Sequence, residues 1–230
     1  MKIVLLYGQN HKGTTYRTAR MLAEKTGGEI TEYFFPRDFA PFCTGCANCI
    51  TKSETLCPHY ALLKPITEAI DEADVLIFAS PVYVMHASGA MKSFLDHYGY
   101  RFMLHRPERR MFSKQAVCIA TAAGDGTKSA VRDMADSLYY WGAAKIYTYG
   151  KIVRALSPEG VTEKMWAEID RDTTRLASRI RRSAARVRPG VKTKAYFMLM
   201  RFLQLSIMKK EADVAYWKQQ GWDGAGRPWK

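Results

Sequence analysis

Lys2-Ile3-Val4-Leu5-Leu6-Tyr7 runs directly into Gly8-Gln9-Asn10-His11-Lys12-Gly13-Thr14-Thr15. Five apolar side chains in succession suit a strand covered on both faces, the situation of a central strand in a parallel sheet. The eight residues after it hold two glycines and two threonines. A helical pattern then runs from about Tyr16 to the pair Gly27-Gly28, which can close it. Strand, glycine-containing turn and helix make the first half of a βα unit.

The alternation continues outward from that stretch. Residues 29–35 (EITEYFF), 74–80 (DVLIFAS), 115–123 (QAVCIATAA) and 144–149 (AKIYTY) read as the second to fifth strands, the third strand (74–80) being buried. Pro65 suits the first turn of a helix, where its missing N–H costs nothing, and Ile66, Ala69, Ile70 and Ala73 then share one face. Ser88 is a capping residue ahead of Met91, Phe94 and Leu95. Val131, Met134, Leu138 and Trp141 keep helical spacing, and a long helix from Thr162 to about Val187 is expected to bury Met165, Ile169, Leu176 and Ile180. Strands alternating with helices predict an α/β fold, a doubly wound five-stranded parallel sheet, over residues 1–188. Arg188-Pro189-Gly190 breaks the pattern, and residues 189–230 read as a basic helical tail for packing or oligomerisation.

Composition narrows the function. With 230 residues, 47% hydrophobic and 25% charged, the chain has material for one medium core plus an appendage. The first apolar run is short and is followed by no small-residue cleavage site, and the run from 196 to 208 is interrupted by Arg201 and Gln204. Neither reads as a signal peptide or a membrane span, so a reducing cytoplasmic setting is expected. The net charge of +13 is uneven: residues 151–230 carry 18 Lys/Arg against 8 Asp/Glu. No nucleic-acid motif accompanies that charge, so it reads either as a solvated face or as a surface for anionic ligands.

In an open parallel sheet, ligands bind beyond the carboxyl ends of the strands. Residues 8–15 are the first loop there. Gly8 and Gly13 allow close approach of an anion, Thr14 and Thr15 offer hydroxyls, His11 and Lys12 add cationic donors, and the following helix offers free N–H groups. A Walker A loop needs Lys where Thr14 stands, and GxGxxG is absent. What remains is a monophosphate held by hydroxyls and helix N–H groups, as in a flavin mononucleotide, or else a plain βα turn.

Three ordered segments carry a family resemblance. Residues 8–15 resemble the phosphate loop of the NAD(P)H-dependent FMN reductase and iron–sulfur flavoprotein group, a flavodoxin-like superfamily, although Gln9, Asn10 and His11 depart from its usual Ser, Pro and Arg. Ser80-Pro81-Val82-Tyr83, followed by Ser88-Gly89 and Lys92-Ser93-Phe94-Leu95-Asp96, is similar to the segment after the third strand of that group. Cys43-Thr44-Gly45-Cys46-Ala47-Asn48-Cys49 is the third. The resemblance implies that Pro81, Val82, Tyr83, Val84 and Met85 pack on an isoalloxazine ring, with Ser88 and Gly89 close by. It also implies that Ala123, Gly124 and Gly126, after the fourth strand, line the ring's other edge, where Asp125 could instead cap the next helix. Tyr83 and Met85 have a plainer alternative as core residues.

Cys43, Cys46, Cys49 and Cys57 follow C-x2-C-x2-C-x7-C with Pro58 after the last. In a reducing compartment such clustering favours metal over disulfides. The triple run with a final Cys-Pro resembles [4Fe–4S] ligation; zinc and free thiols are the alternatives. Cys118 lies within a strand and reads as core. His105-Arg106-Pro107 with Arg109 and Arg110 could hold nucleotide phosphates or be a solvated loop. His59 and His97 have no evident partner, and no catalytic acid or base is assigned. Trp217, Trp222 and Trp229 in the tail could cover a neighbour's flavin edge.

These observations predict an FMN-dependent oxidoreductase that takes hydride from NAD(P)H and passes electrons to a small-molecule acceptor (quinone, nitro or azo compound, or flavin) or to an iron–sulfur cluster. A homodimer or homotetramer is expected, with no nucleic acid partner. The alternative is a flavodoxin-like electron carrier, but carriers tend to be short and acidic. A receiver domain needs acidic strand ends, and here those ends read Leu6-Tyr7-Gly8 and Ala79-Ser80-Pro81.

Overall fold

Five parallel strands form the sheet in the computed structural model, which describes residues 1–103 and 105–230. They are β1 (Lys2–Tyr7), β2 (Glu29–Phe34), β3 (Val75–Tyr83), β5 (Gln115–Ala122) and β6 (Lys145–Ile152), in the order β2-β1-β3-β5-β6. β1 explains its own sequence. Ile3, Leu5 and Tyr7 point to one face, against Ala19 and Leu22 of α1 (Thr14–Thr26) and Ala177 and Ile180 of α6 (Glu163–Ser183). Val4 and Leu6 point to the other, with Ile66 and Ile70 of α3 (Tyr60–Glu72), Phe94 of α4 (Gly89–Asp96), and Met134 and Leu138 of α5 (Thr127–Tyr140). A strand covered twice has no polar face to show, and each such buried side chain contributes about 1.5–3 kcal/mol.

The five expected strands are present, and the sheet gains a small antiparallel arm. β4 (His86–Ala87) pairs with the end of β3, Val82 against Ala87 and Tyr83 against His86. Val84 and Met85 form the two-residue connection, with φ of 47° and 69°. Ser88 caps α4 as its sequence suggests, accepting from Met91 N–H at 3.2 Å, and Thr162 caps α6.

Several expectations need correction. Pro65 lies inside α3, because the turn Cys57–His59 starts that helix a turn earlier. Met165 and Leu176 are only half-buried, whereas Ile169 and Ile180 are fully covered. A short helix, α2 (Asn48–Thr51), interrupts the cysteine segment. The tail forms α7 (Val191–Phe202) and α8 (Glu211–Gln219) and folds onto its own chain. Phe197, Met200, Trp217 and Trp222 close a cluster with Met103 and Phe112, and Trp229 packs at its edge. The tryptophans therefore serve the chain's own packing.

Candidate cofactor site

The strand order reverses between β1 and β3, so the loops after these two strands part and leave a crevice at the carboxyl edge. Gly8 stands at the parting, its N–H donating to Ala79 O at 2.8 Å. A Cβ there would come 2.9 Å from Met91 Cβ and closer still to Ser88 Oγ, so close approach requires glycine. Ser88 Oγ donates to Gly8 O, Ser88 N–H donates to Ser80 Oγ at 2.9 Å, and Ser80 Oγ donates to Pro81 O at 2.9 Å. These bonds lock the first and third loops together. Ser88 supports the crevice from beneath, and the exposed Gly89 opens α4 behind it.

α1 begins at Thr14, behind Gly13, and no side chain caps it. Its first N–H groups and positive dipole end therefore face the crevice, which suits an anion. Thr15 Oγ1 lies 2.7 Å from Thr121 Oγ1, a hydroxyl pair joining the first turn of α1 to the carboxyl end of β5. Gln9 is buried, and neither end of its amide has a partner among the described residues. An orphaned buried amide beside an uncapped helix end is a group that a bound ligand could satisfy.

The apolar side of the site is the β3–β4 hairpin. Tyr83, Val84 and Met85 stand half or more exposed at its tip, Val84 at 95%. Two successive non-glycine residues at positive φ are costly, and such strain collects at functional sites. Gly126 supports the hairpin from below: a Cβ there would meet Met85 Cα and Val82 Cγ1 at 2.7 Å. Asp125 Oδ1 accepts from Gly126 N–H at 2.7 Å, while α5 itself starts without a side-chain cap.

A cleft of about 440 Å³ joins these parts, within the range of cofactor sites. The first loop and the start of α1 contribute His11, Gly13, Thr14 and Thr15, the end of β3 contributes Pro81, Val82 and Tyr83, and the end of β5 with the residue after it contributes Thr121, Ala122 and Ala123. The fourth wall was absent from the sequence reading: Val153, Ala155, Leu156, Ser157 and Pro158, after β6. Only the strand-end rule could have found it, since nothing in those residues marks chemistry. Val84, Met85, Gly124 and Gly126 sit around the cleft without lining it, and the buried Gln9 is not among its lining residues either.

The arginine segment belongs elsewhere. His105 Nδ1 and Arg106 Nη1 lie 2.8 and 2.7 Å from the two carboxylate oxygens of Asp213 in α8, and Arg109 donates to Lys230 O at 3.0 Å. A second cleft, of about 230 Å³, lies between α3 and this segment, but its charges are mutually paired, Arg101 donating to Asp71 at 2.7 Å. The expected role of residues 105–110 at the nucleotide phosphates is therefore not what this arrangement offers.

Cys43 and Cys46 are exposed, Cys49 and Cys57 half-buried, and Cys118 is core. Burial pushes the Cys49 thiol up, and the neighbouring Cys57, Cys43 and Cys46 sulfurs add to it. Arg106 Nη2 donates to the Cys49 carbonyl and Nη1 to that of Ile50 at 3.4 Å, which fixes the middle of the loop.

The model of a family described as NADPH-dependent FMN reductase matches residues 1–154. An iron–sulfur flavoprotein of Archaeoglobus fulgidus is 32% identical over 81 residues, 34% of this chain and 36% of that protein, so the likeness spans about a third of the relative. An azoreductase of Bacillus anthracis superposes with a TM-score of 0.60 at 12% identity, over 78% of this chain and 99% of that one. A NAD(P)H:quinone oxidoreductase of Methanothermobacter marburgensis gives a TM-score of 0.59 at 16% identity, over 76% and 96%. Both structures share the fold, with its parallel sheet between helical layers.

Proposed function

Because the chain belongs to the NADPH-dependent FMN reductase family, we propose that it holds FMN in the cleft at the carboxyl edge and oxidises NAD(P)H there. The electrons go to a small acceptor of the quinone, nitro, azo or flavin class. Bound FMN supplies the hydride-accepting chemistry, and the protein supplies position, electrostatics and exclusion of water. The observation that carries this reading is the pairing of an uncapped helix start at one end of the cleft with an apolar hairpin at the other. Gly13, Thr14 and Thr15, with His11 and Gln9, would hold the phosphate. Pro81, Val82 and Tyr83, with Val84 and Met85 at the tip, would flank the ring, and Ala123, Gly124 and Gly126 would shape its far edge. Anaerobic addition of NADH or NADPH to FMN-loaded protein should bleach the flavin absorbance within the mixing time of a turnover assay. Bleaching by dithionite alone would point to an electron carrier.

The reading extends to the cysteine loop. Cys43, Cys46, Cys49 and Cys57 are proposed as ligands of one [4Fe–4S] cluster, which would supply one-electron chemistry beside the flavin. The C-x2-C-x2-C-x7-C spacing supports this, as does the likeness to an iron–sulfur flavoprotein. Anaerobic reconstitution should yield iron and sulfide near four per chain, and neither binding would end that part of the proposal. A cytoplasmic homodimer or homotetramer completes the reading, with sedimentation as its check.

A further inference from the structure

Two histidines with no partner evident from sequence meet in the fold. His97, at the carboxyl end of α4, is 3% exposed, with Nδ1 2.8 Å from Ser93 O. A carbonyl only accepts, so the proton sits on Nδ1 and the lone pair on Nε2. That Nε2 lies 2.9 Å from Nδ1 of His59, the residue that opens α3. Cys57 Sγ completes a triangle in which all three donor atoms lie within 4.8 Å of one another. Phe39 sets its ring edge-on to His97, centroids 4.8 Å apart, and walls one side.

We propose that Cys57, His59 and His97 form a mononuclear site for a divalent transition-metal ion of the zinc class, with water in the fourth position. Thiolate and imidazole are the donors such ions prefer. Bond lengths of about 2.0–2.1 Å to nitrogen and 2.3 Å to sulfur place tetrahedral donors roughly 3.3–3.6 Å apart. The histidine nitrogens need only open by a few tenths of an ångström to admit the ion. The His97 bond to Ser93 O is the outer contact that orients a ligating imidazole. Binding releases the Cys57 thiol proton to solvent and moves the His59 proton from Nδ1, where it now faces His97 Nε2, to Nε2.

The placement gives the site a consequence. It joins the end of the cysteine loop to α3 and α4, and α4 begins at Ser88, which holds the phosphate loop through Gly8 O. The Cys57 sulfur also belongs to the proposed cluster set, so a divalent ion here and a cluster on the four cysteines exclude each other.

Co2+ reports on the site through its thiolate charge-transfer band. The background is C43S/C46S/C49S, which removes the other three loop thiols, Cys43 and Cys46 of them exposed. Anaerobic titration of that protein should show one Co2+ per chain with the charge-transfer band, and adding Cys57→Ser should abolish the band. His97→Asn keeps a donor for Ser93 O but removes the Nε2 ligand, and His59→Gln removes the Nδ1 ligand. Each should weaken Co2+ binding at least tenfold while FMN uptake persists. If His97→Asn fails to fold, the more exposed His59 decides. No binding by the C43S/C46S/C49S protein, or undiminished affinity in the histidine variants, would overturn the proposal. Iron and sulfide loading of the wild-type chain is a separate readout, so loss of the cluster reading leaves this one standing.

Discussion

At the scale of the residue, the proposed FMN site rests on a few polar atoms at a sheet edge that is otherwise apolar. Thr15 shows this best: its hydroxyl lies in the cleft wall and within hydrogen-bond reach of Thr121. A hydroxyl donating to a charged phosphate contributes about 1.5–3 kcal/mol, so Thr15→Val should weaken FMN uptake roughly ten- to hundredfold, and Thr15→Ser should restore most of it. Fluorescence titration with FMN measures both. Lys114 illustrates a purely structural charge at the opposite edge. It donates to Asp71 O at 2.7 Å and to Ala73 O, and burial pushes it down to about 8 from an ordinary value of 10.5. Above pH 8 the unfolded chain then holds more protons than the folded one, so this residue's contribution to stability rises with pH up to about 10.5. Burial of Tyr7 and Tyr98 pushes their hydroxyls far up, which reverses the sign once unfolded tyrosines ionise near pH 10. Denaturant midpoints between pH 8 and 9.5 should therefore climb in the wild-type chain and climb less in Lys114→Met. Equal slopes would refute the assignment.

At the scale of the element, the β3–β4 hairpin departs furthest from its sequence. A two-residue turn with both φ positive favours Asn-Gly or Asp-Gly, and here Val84-Met85 occupies it at 47° and 69°. Val84→Asn with Met85→Gly should relieve about 1–3 kcal/mol of backbone strain and raise the melting temperature. It should also slow turnover by removing apolar surface beside the cleft. A variant neither stabilised nor slowed would show that the turn carries no functional strain. The same mismatch explains which parts of the fold were legible. Continuous apolar runs announced β1, β3 and β5, because burial on both faces leaves no alternation to misread, whereas the edge strands β2 and β6 are partly exposed and mix polar with apolar residues. Ser88 and Thr162 announced two helix starts, because capping is local chemistry. The β4 arm was hidden, since Val-Met is opposite to the turn chemistry its backbone adopts. Pro65 misled for a related reason: the start of α3 is set by the chain leaving the cysteine loop at Cys57. The cleft's fourth wall, 153–158, was equally silent, because its members are ordinary loop residues made relevant only by strand order.

At the scale of the whole molecule, the carboxyl-terminal extension and the cysteine loop are tied through one buried carboxylate. Asp213 of α8 is fully buried and meets His105 Nδ1 at 2.8 Å and Arg106 Nη1 at 2.7 Å. Arg106, itself 8% exposed, passes the connection to the carbonyls of Cys49 and Ile50. Around it, Trp217 Nε1 donates to His105 O at 2.6 Å and Tyr216 OH to Pro107 O at 2.7 Å, so the extension grips the segment before β5 at three successive residues. Its excess of positive charge had suggested an independent surface, yet the contact that matters is its acid meeting the core's arginine. Removing one partner of a buried ion pair strands the other, at a cost of about 3–5 kcal/mol. Asp213→Ala should lower unfolding stability by that amount. Asp213→Asn, which keeps the shape and one acceptor, should cost less. Alkylation of Cys49 in metal-free protein gives a local readout, because Arg106 without its carboxylate no longer holds that turn. Modification should quicken in both variants while Cys118, deep in β5, stays unreactive. An unchanged alkylation rate alongside lowered stability would mean that Asp213 steadies the extension without governing the cysteine loop.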